Sequence, residues 1–255
     1  MLESIWDILV NLHWAAVGQI IMIDILLGGD NAIVIAMACR NLPKEQRRLG
    51  ILWGTVGAIA LRVILISFAV VMLGLPFLKV VGGILLLWIG IKLLIPEYDQ
   101  HSNIEGSKKL LGAIKTIIVA DFVMSFDNVI AIAGAAQQAH EAHQTLLVVF
   151  GLVVSIPFIV FGSQVVLKLL DRFPVIIYLG GGLLGWIAGG MLASDQFFMT
   201  RWPELCLLAH YPLSAAGALL VIAVGHTIGQ KKMRERQKFL KTQEGTEDKG
   251  GETSE

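Results

Sequence analysis

Seven apolar runs, each close to the 20 or so residues that a helix needs to cross a bilayer, take up nearly the whole chain. They fall at about 14 to 38, 49 to 73, 77 to 95, 112 to 136, 145 to 169, 174 to 193 and 208 to 229. The expected fold is therefore an all-α integral membrane protein with seven transmembrane helices. Composition agrees: 55% of residues are hydrophobic and 16% charged, and the mean hydropathy of +0.72 lies well above that of an ordinary soluble domain.

Sizeable polar pieces are confined to a loop near 96 to 111 and a tail over 230 to 255. The expected organisation is a transmembrane domain over 1 to 229 and a cytoplasmic tail that is basic at first and then disordered. No room remains for an appended catalytic domain. The opening "MLESIWDILVNLHW" lacks a basic stretch and carries Glu3 and Asp7, so it reads as an interfacial lead-in rather than a cleaved signal peptide.

Seventeen of the twenty basic residues cluster around 40 to 48, 92 to 115, 168 to 172 and the tail, which seven spans place on one face. Lys79 and Arg201 fall opposite, and Arg62 falls inside a span. The positive-inside rule then gives an outer N-terminus and an inner C-terminus. Cys39 near the inner surface and Cys206 near the outer could not pair within one chain.

The chain repeats itself: "DILLGGDNAIVIAMA" (24 to 38) aligns without gaps on "DFVMSFDNVIAIAGA" (121 to 135). With one inserted residue, "VGGILLLWIG" (81 to 90) pairs with "LGGGLLGWIA" (179 to 188). Two three-span halves, about 14 to 95 and 112 to 193, are thus followed by a seventh helix, about 208 to 229. Three is odd, so the second half enters the membrane from the opposite side. Such an inverted repeat is a transporter architecture, with its substrate site near mid-bilayer where the halves meet.

The duplicated motif carries charge where charge is expensive. Asp24 falls in the outer half of span one and Asp30 in its inner half; Asp121 and Asp127 occupy the mirrored depths of span four. Each carboxylate at the bilayer centre costs roughly 2.5 to 3.5 kcal/mol on insertion scales. Helix packing alone would not require that expense, because Ser or Asn can hold helices together without it. On a continuous helix Asp24, Gly28 and Asn31 share a stripe, as do Asp121, Ser125 and Asn128, whereas Asp30 and Asp127 lie about 100° from the neighbouring asparagines. Unwinding at Gly28 and Gly29 would turn Asp30 onto the same cavity and expose backbone carbonyls.

Four carboxylates and two amide carbonyls, with no His or Cys in the motifs, make an oxygen cage for a hard divalent cation: Mn²⁺, Ca²⁺ or Mg²⁺. The expected metal set is Asp24, Asp30, Asn31, Asp121, Asp127 and Asn128. Empty, such a cluster takes up protons through mutual repulsion, and an arriving metal expels them, which supplies the ingredient for metal/proton antiport. Met22 and Met124 lie near the acids, either as soft ligands that favour Mn²⁺ or as packing.

The paired "GGDNAIVIA" and "SFDNVIAIA", each with an aspartate six residues before the DN, together with the seven-span layout, resemble the TerC family, of the YjbE-like branch, within the LysE-type exporter superfamily. The resemblance covers residues 1 to about 229. It implies manganese export across the bacterial cytoplasmic (inner) membrane, and it places the family's motif acids on Asp24, Asp30, Asp121 and Asp127, with Asn31 and Asn128 beside them. Phe126 stands where the first half has Gly29, which weakens the unwinding argument there.

Arg62, near the middle of span two, has two readings: pairing with a motif aspartate as a surrogate cation when metal is absent, or snorkelling or capping a helix carbonyl. His140, Glu141 and His143 form either an exit-side metal relay or a solvated loop. Their spacing is not the HExxH of a zinc protease, and no GxSxG is present, so no enzyme is expected. The glycines of 180 to 190 suit close helix contact; the six tryptophans suit interfacial anchoring.

The sequence reading is therefore a divalent-cation exporter, Mn²⁺ favoured and Ca²⁺ open, working by alternating access with protons and the lipid bilayer as partners. Neither a resident cofactor nor nucleic acid is expected, and a homo-oligomer is compatible with it. The rivals are calcium/proton exchange and a non-transport membrane assembly or metal-stress role.

Overall fold

The computed structural model describes Gly18, Ile21, Met22, Asp24 and residues 28–68, 75–96, 103–136 and 144–251, with the side chains of 67, 103–106, 126–136, 144–148 and 238–251 left outside the description. Among the described residues all regular structure is helical. The elements are α1 (Gly29–Cys39), α2 (Lys44–Ser67), α3 (Leu78–Leu94), α4 (Asn103–Ala136), α5 (Gln144–Arg172), α6 (Val175–Ala193), α7 (Gln196–Arg201) and α8 (Pro203–Gly251).

Among the described residues, four stretches are long and apolar enough to cross a membrane: Lys44–Ile66, Val149–Arg172, Val175–Ala193 and Pro203–Gln237. Gly29–Cys39 is a shorter apolar helix, and the outer part of the expected first span lies largely outside the described residues. α3, with 17 residues, rises about 25 Å at 1.5 Å per residue. The side-chain distribution is that of a lipid-embedded body. Large apolar groups such as Phe161, Leu179 and Leu208 are exposed, while Asp24, Arg62, Asp121, Ser125 and Ser155 are buried.

α6 packs against α8 and α3, α2 against α4, and α1 against α5. α6 and α8 approach to backbone contact. A β-carbon on Gly185 would overlap the carbonyl of Gly217, and one on Gly189 the carbonyl of Leu213, so these positions admit only hydrogen. On the other side of α6, a β-carbon on Gly83 would sit 2.9 Å from the Ala188 carbonyl oxygen. The glycine stripe thus serves helix contact.

Two polar clamps hold the helix ends. Arg47, near the start of α2, donates through Nε to the Leu42 carbonyl (3.1 Å), through Nη2 to the Arg40 carbonyl (2.7 Å) and through Nη1 to Asp171 at the end of α5 (2.8 Å). A guanidinium there satisfies carbonyls just past the α1 C-terminus and complements its partial negative charge. The buried Asp195 carboxylate accepts from the backbone N–H groups of Phe77 (3.0 Å), Lys79 (3.1 Å) and Val80 (3.4 Å) at the start of α3 and from Phe197 (3.0 Å) in α7. One side chain therefore caps two helices. Phe77, held at φ 62, is in left-handed backbone that costs a bulky residue energy; the Asp195 bond and a ring contact with Phe197 at 4.6 Å hold it there.

The backbone departs from the expected boundaries at the tail. α8 continues as helix to Gly251, into the tail expected to be basic at first and then disordered. Lys, Arg, Gln and Glu dominate that stretch and are good helix formers. α2 likewise begins at Lys44, ahead of its apolar run, because Pro43 stands at the N-cap and its ring pre-sets the entering backbone.

Candidate functional site

Four parts of the chain bring polar side chains to one buried point. Asp24 sits on a helical residue of the first span, Arg62 in the last third of α2, Asp121 and Ser125 one turn apart in the middle of α4, and Ser155 on α5. Arg62 and Asp24 are each 1% exposed, Asp121 6%, and both serines are fully covered, so the ion pairs form out of water.

The guanidinium of Arg62 bridges the two acids. Nη1 donates to Asp24 Oδ1, Nη2 to Asp121 Oδ1, and Nε to the Ser125 hydroxyl at 3.2 Å. Ser125 in turn donates to Asp121 Oδ2 at 3.2 Å. The Ser155 hydroxyl meets Asp24 Oδ2 and lies 2.8 Å from the Leu152 carbonyl of its own helix. Every carboxylate oxygen of the pair thus has a partner. A planar fork with fixed donors suits this bridging, which a lysine ammonium could not reproduce. Of the two readings of Arg62, pairing is the one realised.

The remaining expected ligands divide. Asn31 is 4% exposed, and neither its amide nitrogen nor its amide oxygen has a hydrogen-bond partner. It shares with Asp121, Val34, Ile35 and Ile117 a cavity of about 10 Å³, room for one water-sized occupant. Asp30 stands in the first turn of α1, partly buried, and its Oδ1 accepts from the Asn31 backbone N–H at 2.8 Å. It satisfies an N–H group in the first turn of its own helix.

Gly28 is a turn residue in right-handed backbone, with its carbonyl accepting from the Ala32 N–H at 3.0 Å. Gly29 is already helical. The expected unwinding is therefore absent at Gly29, and the Gly28 carbonyl is engaged by the helix rather than offered as a ligand. Asp127 and Asn128 lie on the α4 backbone, but their side chains fall outside the described residues, as do His140, Glu141 and His143. Met22 is exposed and Met124 is packed in the apolar core.

Among the described residues, no three His, Cys, Asp or Glu side chains are grouped to hold a metal ion. With Arg62 in place the two central carboxylates are occupied by a resident cation. A larger cavity of about 290 Å³ opens at the C-terminal end of α1, but Lys92, Lys108 and Lys109 line it, and their charges repel metal ions.

Sequence reasoning passed over Ser155 and Asp195. A serine in an apolar span carries no periodic or motif signal, so the partner of Ser155, 131 residues away, is visible only in three dimensions. Asp195 did have a signal: "SDQFF" places an acid directly before a short helix, as an N-cap residue would be. Pro157, two residues after Ser155 within α5, leaves the Val153 carbonyl without its helical donor, so α5 is locally weakened beside the site.

Residues 10–235 match the family described as "Integral membrane protein TerC family". The chain is 48% identical over 177 residues to the uncharacterized membrane protein YjbE of Bacillus subtilis (strain 168), covering 69% of this chain and 78% of that one. It is 24% identical over 234 residues to the uncharacterized membrane protein YceF of the same organism, covering 88% and 86%. It is also 23% identical over 184 residues to the UPF0053 inner membrane protein YgdQ of Escherichia coli (strain K12), covering 63% and 73%. No solved structure matches. A match across residues 10–235, on a helical chain that exposes large apolar side chains and buries Asp24, Arg62 and Asp121, makes this protein a member of the TerC family of integral membrane proteins.

Proposed function

We propose that this protein exports a divalent metal cation, Mn²⁺ in first place, from the cytoplasm across the bacterial inner membrane. The observation that carries the reading is the meeting of Asp24 and Asp121, corresponding acids of the duplicated motif, at one buried point. Two carboxylates and the Asn31 amide beside them are oxygen ligands of the kind that Mn²⁺, Ca²⁺ and Mg²⁺ take. Asp30, Asp127 and Asn128 complete the proposed set.

The proposed architecture is multi-pass, with seven spans in two inverted three-helix halves and a final helix, the N-terminus outside and the C-terminus inside. Residues 1–229 form the transport domain in this scheme. The two halves rock about the site, which opens inward to collect metal and outward to release it as protons return to the carboxylates. The reaction is transport rather than catalysis, with the metal as cargo and no resident cofactor. Membership of the LysE-type superfamily belongs to the same proposal.

A second reading has its own observation. The Arg62 bridge fills both carboxylates without any metal, as a purely structural ion network would. In that reading the protein serves membrane assembly or metal stress without turnover.

Flux in inside-out vesicles separates the two, using a panel of Mn²⁺, Ca²⁺, Mg²⁺ and Fe²⁺ with and without an imposed proton gradient. Gradient-dependent Mn²⁺ accumulation, lost in Asp121→Asn and Asp30→Asn proteins that still insert, is the expected result. Absence of flux for every metal by the correctly inserted wild type would leave the structural reading.

A further inference from the structure

Building on the proposed transport reading, we propose that Arg62 is a tethered competitor of the transported cation, and that its release from Asp24 and Asp121 sets the affinity and charge selectivity of the site. The geometry sets the two occupants against each other at the Oδ1 atoms. Asp24 offers Oδ1 to Arg62 and Oδ2 to Ser155; Asp121 offers Oδ1 to Arg62 and Oδ2 to Ser125. A metal that takes Oδ1 of both acids must evict the guanidinium, which holds both of those oxygens.

The place where a metal would first arrive is present. The cavity of about 10 Å³ between Asn31 and Asp121 holds an amide whose oxygen and nitrogen both lack partners, and Asn31 is 4% exposed. A dehydrated cation seated there meets the Asn31 carbonyl oxygen and the Asp121 carboxylate together. Arg62 stands on α2 and Asp121 on α4, and these two helices pack along each other. Releasing Arg62 from Asp121 therefore breaks a contact across the α2–α4 interface.

Selectivity follows from charge. A monovalent ion brings no more charge than the guanidinium it would displace, and lacks the fixed fork that satisfies both acids and Ser125. A divalent ion brings twice the charge and can outbid it. The cost of releasing Arg62 lowers the apparent affinity for metal by the fraction of molecules in which the arginine has left.

The test is Mn²⁺ binding to the purified full-length chain in lipid nanodiscs, followed by the loss of the free-Mn²⁺ electron paramagnetic resonance signal. Wild type, Arg62→Gln, Arg62→Lys and Arg62→Ala are compared, the last also with added millimolar guanidinium ion. Competition requires Arg62→Gln to bind Mn²⁺ at least tenfold tighter than wild type, Arg62→Lys to bind tighter by a smaller factor, and guanidinium to weaken binding to Arg62→Ala specifically. Where Arg62→Gln fails to insert, Arg62→Lys decides, since it keeps the buried charge. Equal or weaker binding by the inserted variants overturns the competitor role and leaves the transport reading standing. Absence of Mn²⁺ binding by wild type and variants alike overturns both.

Discussion

The Arg62 guanidinium donates to Asp121 across the α2–α4 interface, from a side chain 59 residues earlier in the chain, while its other terminal nitrogen holds Asp24. Three buried charges therefore sum to one negative charge, shielded from bulk solvent. Burying ions is costly, and a buried pair or triad contributes less to stability than its contacts suggest. Breaking it unevenly is what costs most.

Charge arithmetic ranks the single substitutions. Asp24→Asn or Asp121→Asn leaves one guanidinium facing one carboxylate, whereas Arg62→Gln leaves two buried carboxylates with no cation. Arg62→Gln is expected to destabilise the metal-free protein by about 3 to 5 kcal/mol, and each Asp→Asn change by about 1.5 to 3 kcal/mol. Thermal unfolding in one detergent, without added metal, checks the order; an Asp121→Asn protein less stable than Arg62→Gln would contradict it.

Asn31 separates stability from function. Its amide is buried without partners, a state that costs about 1 to 3 kcal/mol when no water or ion satisfies it. Asn31→Ala should leave the melting temperature of the metal-free protein unchanged or raised, and should weaken Mn²⁺ binding. A clear fall in melting temperature together with unaltered binding would show the amide to be structural.

Asp195→Ala removes the acceptor of four backbone N–H groups at the starts of α3 and α7. A single lost cap costs about 0.5 to 2 kcal/mol, and this one serves two helices with a left-handed Phe77 between them. The expected loss is at the upper end, about 2 kcal/mol or somewhat more. Hydrogen exchange should quicken first at residues 77 to 81, and unchanged exchange there would argue against the clamp.

In the other clamp the two partners of one ion pair are unequal. Asp171 has a side chain 53% exposed, and a surface ion pair is worth at most about 1 kcal/mol. Arg47 also holds two carbonyls beyond the α1 C-terminus. Arg47→Ala should therefore destabilise clearly more than Asp171→Ala, by about 1 kcal/mol or more. Equal effects in parallel melts would reduce Arg47 to a surface ion.

Gly185→Ala tests the close approach of α6 to α8. Its methyl would meet the Gly217 backbone, where no rotamer change can make room, so α6 and α8 must separate. Overpacking of this kind costs about 1 to 3 kcal/mol. Gly112→Ala, at a glycine with open space around it, is the matched control and should be neutral or stabilising.

The sequence by itself determined membrane residence, helicity, the glycine stripe that lets α6 approach α8, and the duplicated acids, because hydropathy, helix propensity and motif repetition are properties of neighbouring residues. It also marked Asp24, Asp30, Asn31, Asp121, Asp127 and Asn128 as one group. What it left open was the partner of each charge. Arg62 reads equally well as a pairing or a snorkelling residue until α2 is laid against α4, and Ser155 has no signal until α5 brings it to Asp24. Asp30, equal to Asp24 in the motif, turns back to its own helix N-terminus, where an unpaired N–H lies closest. A buried charge takes the partner that packing puts within reach, and helix packing is settled by the whole chain rather than by any local stretch.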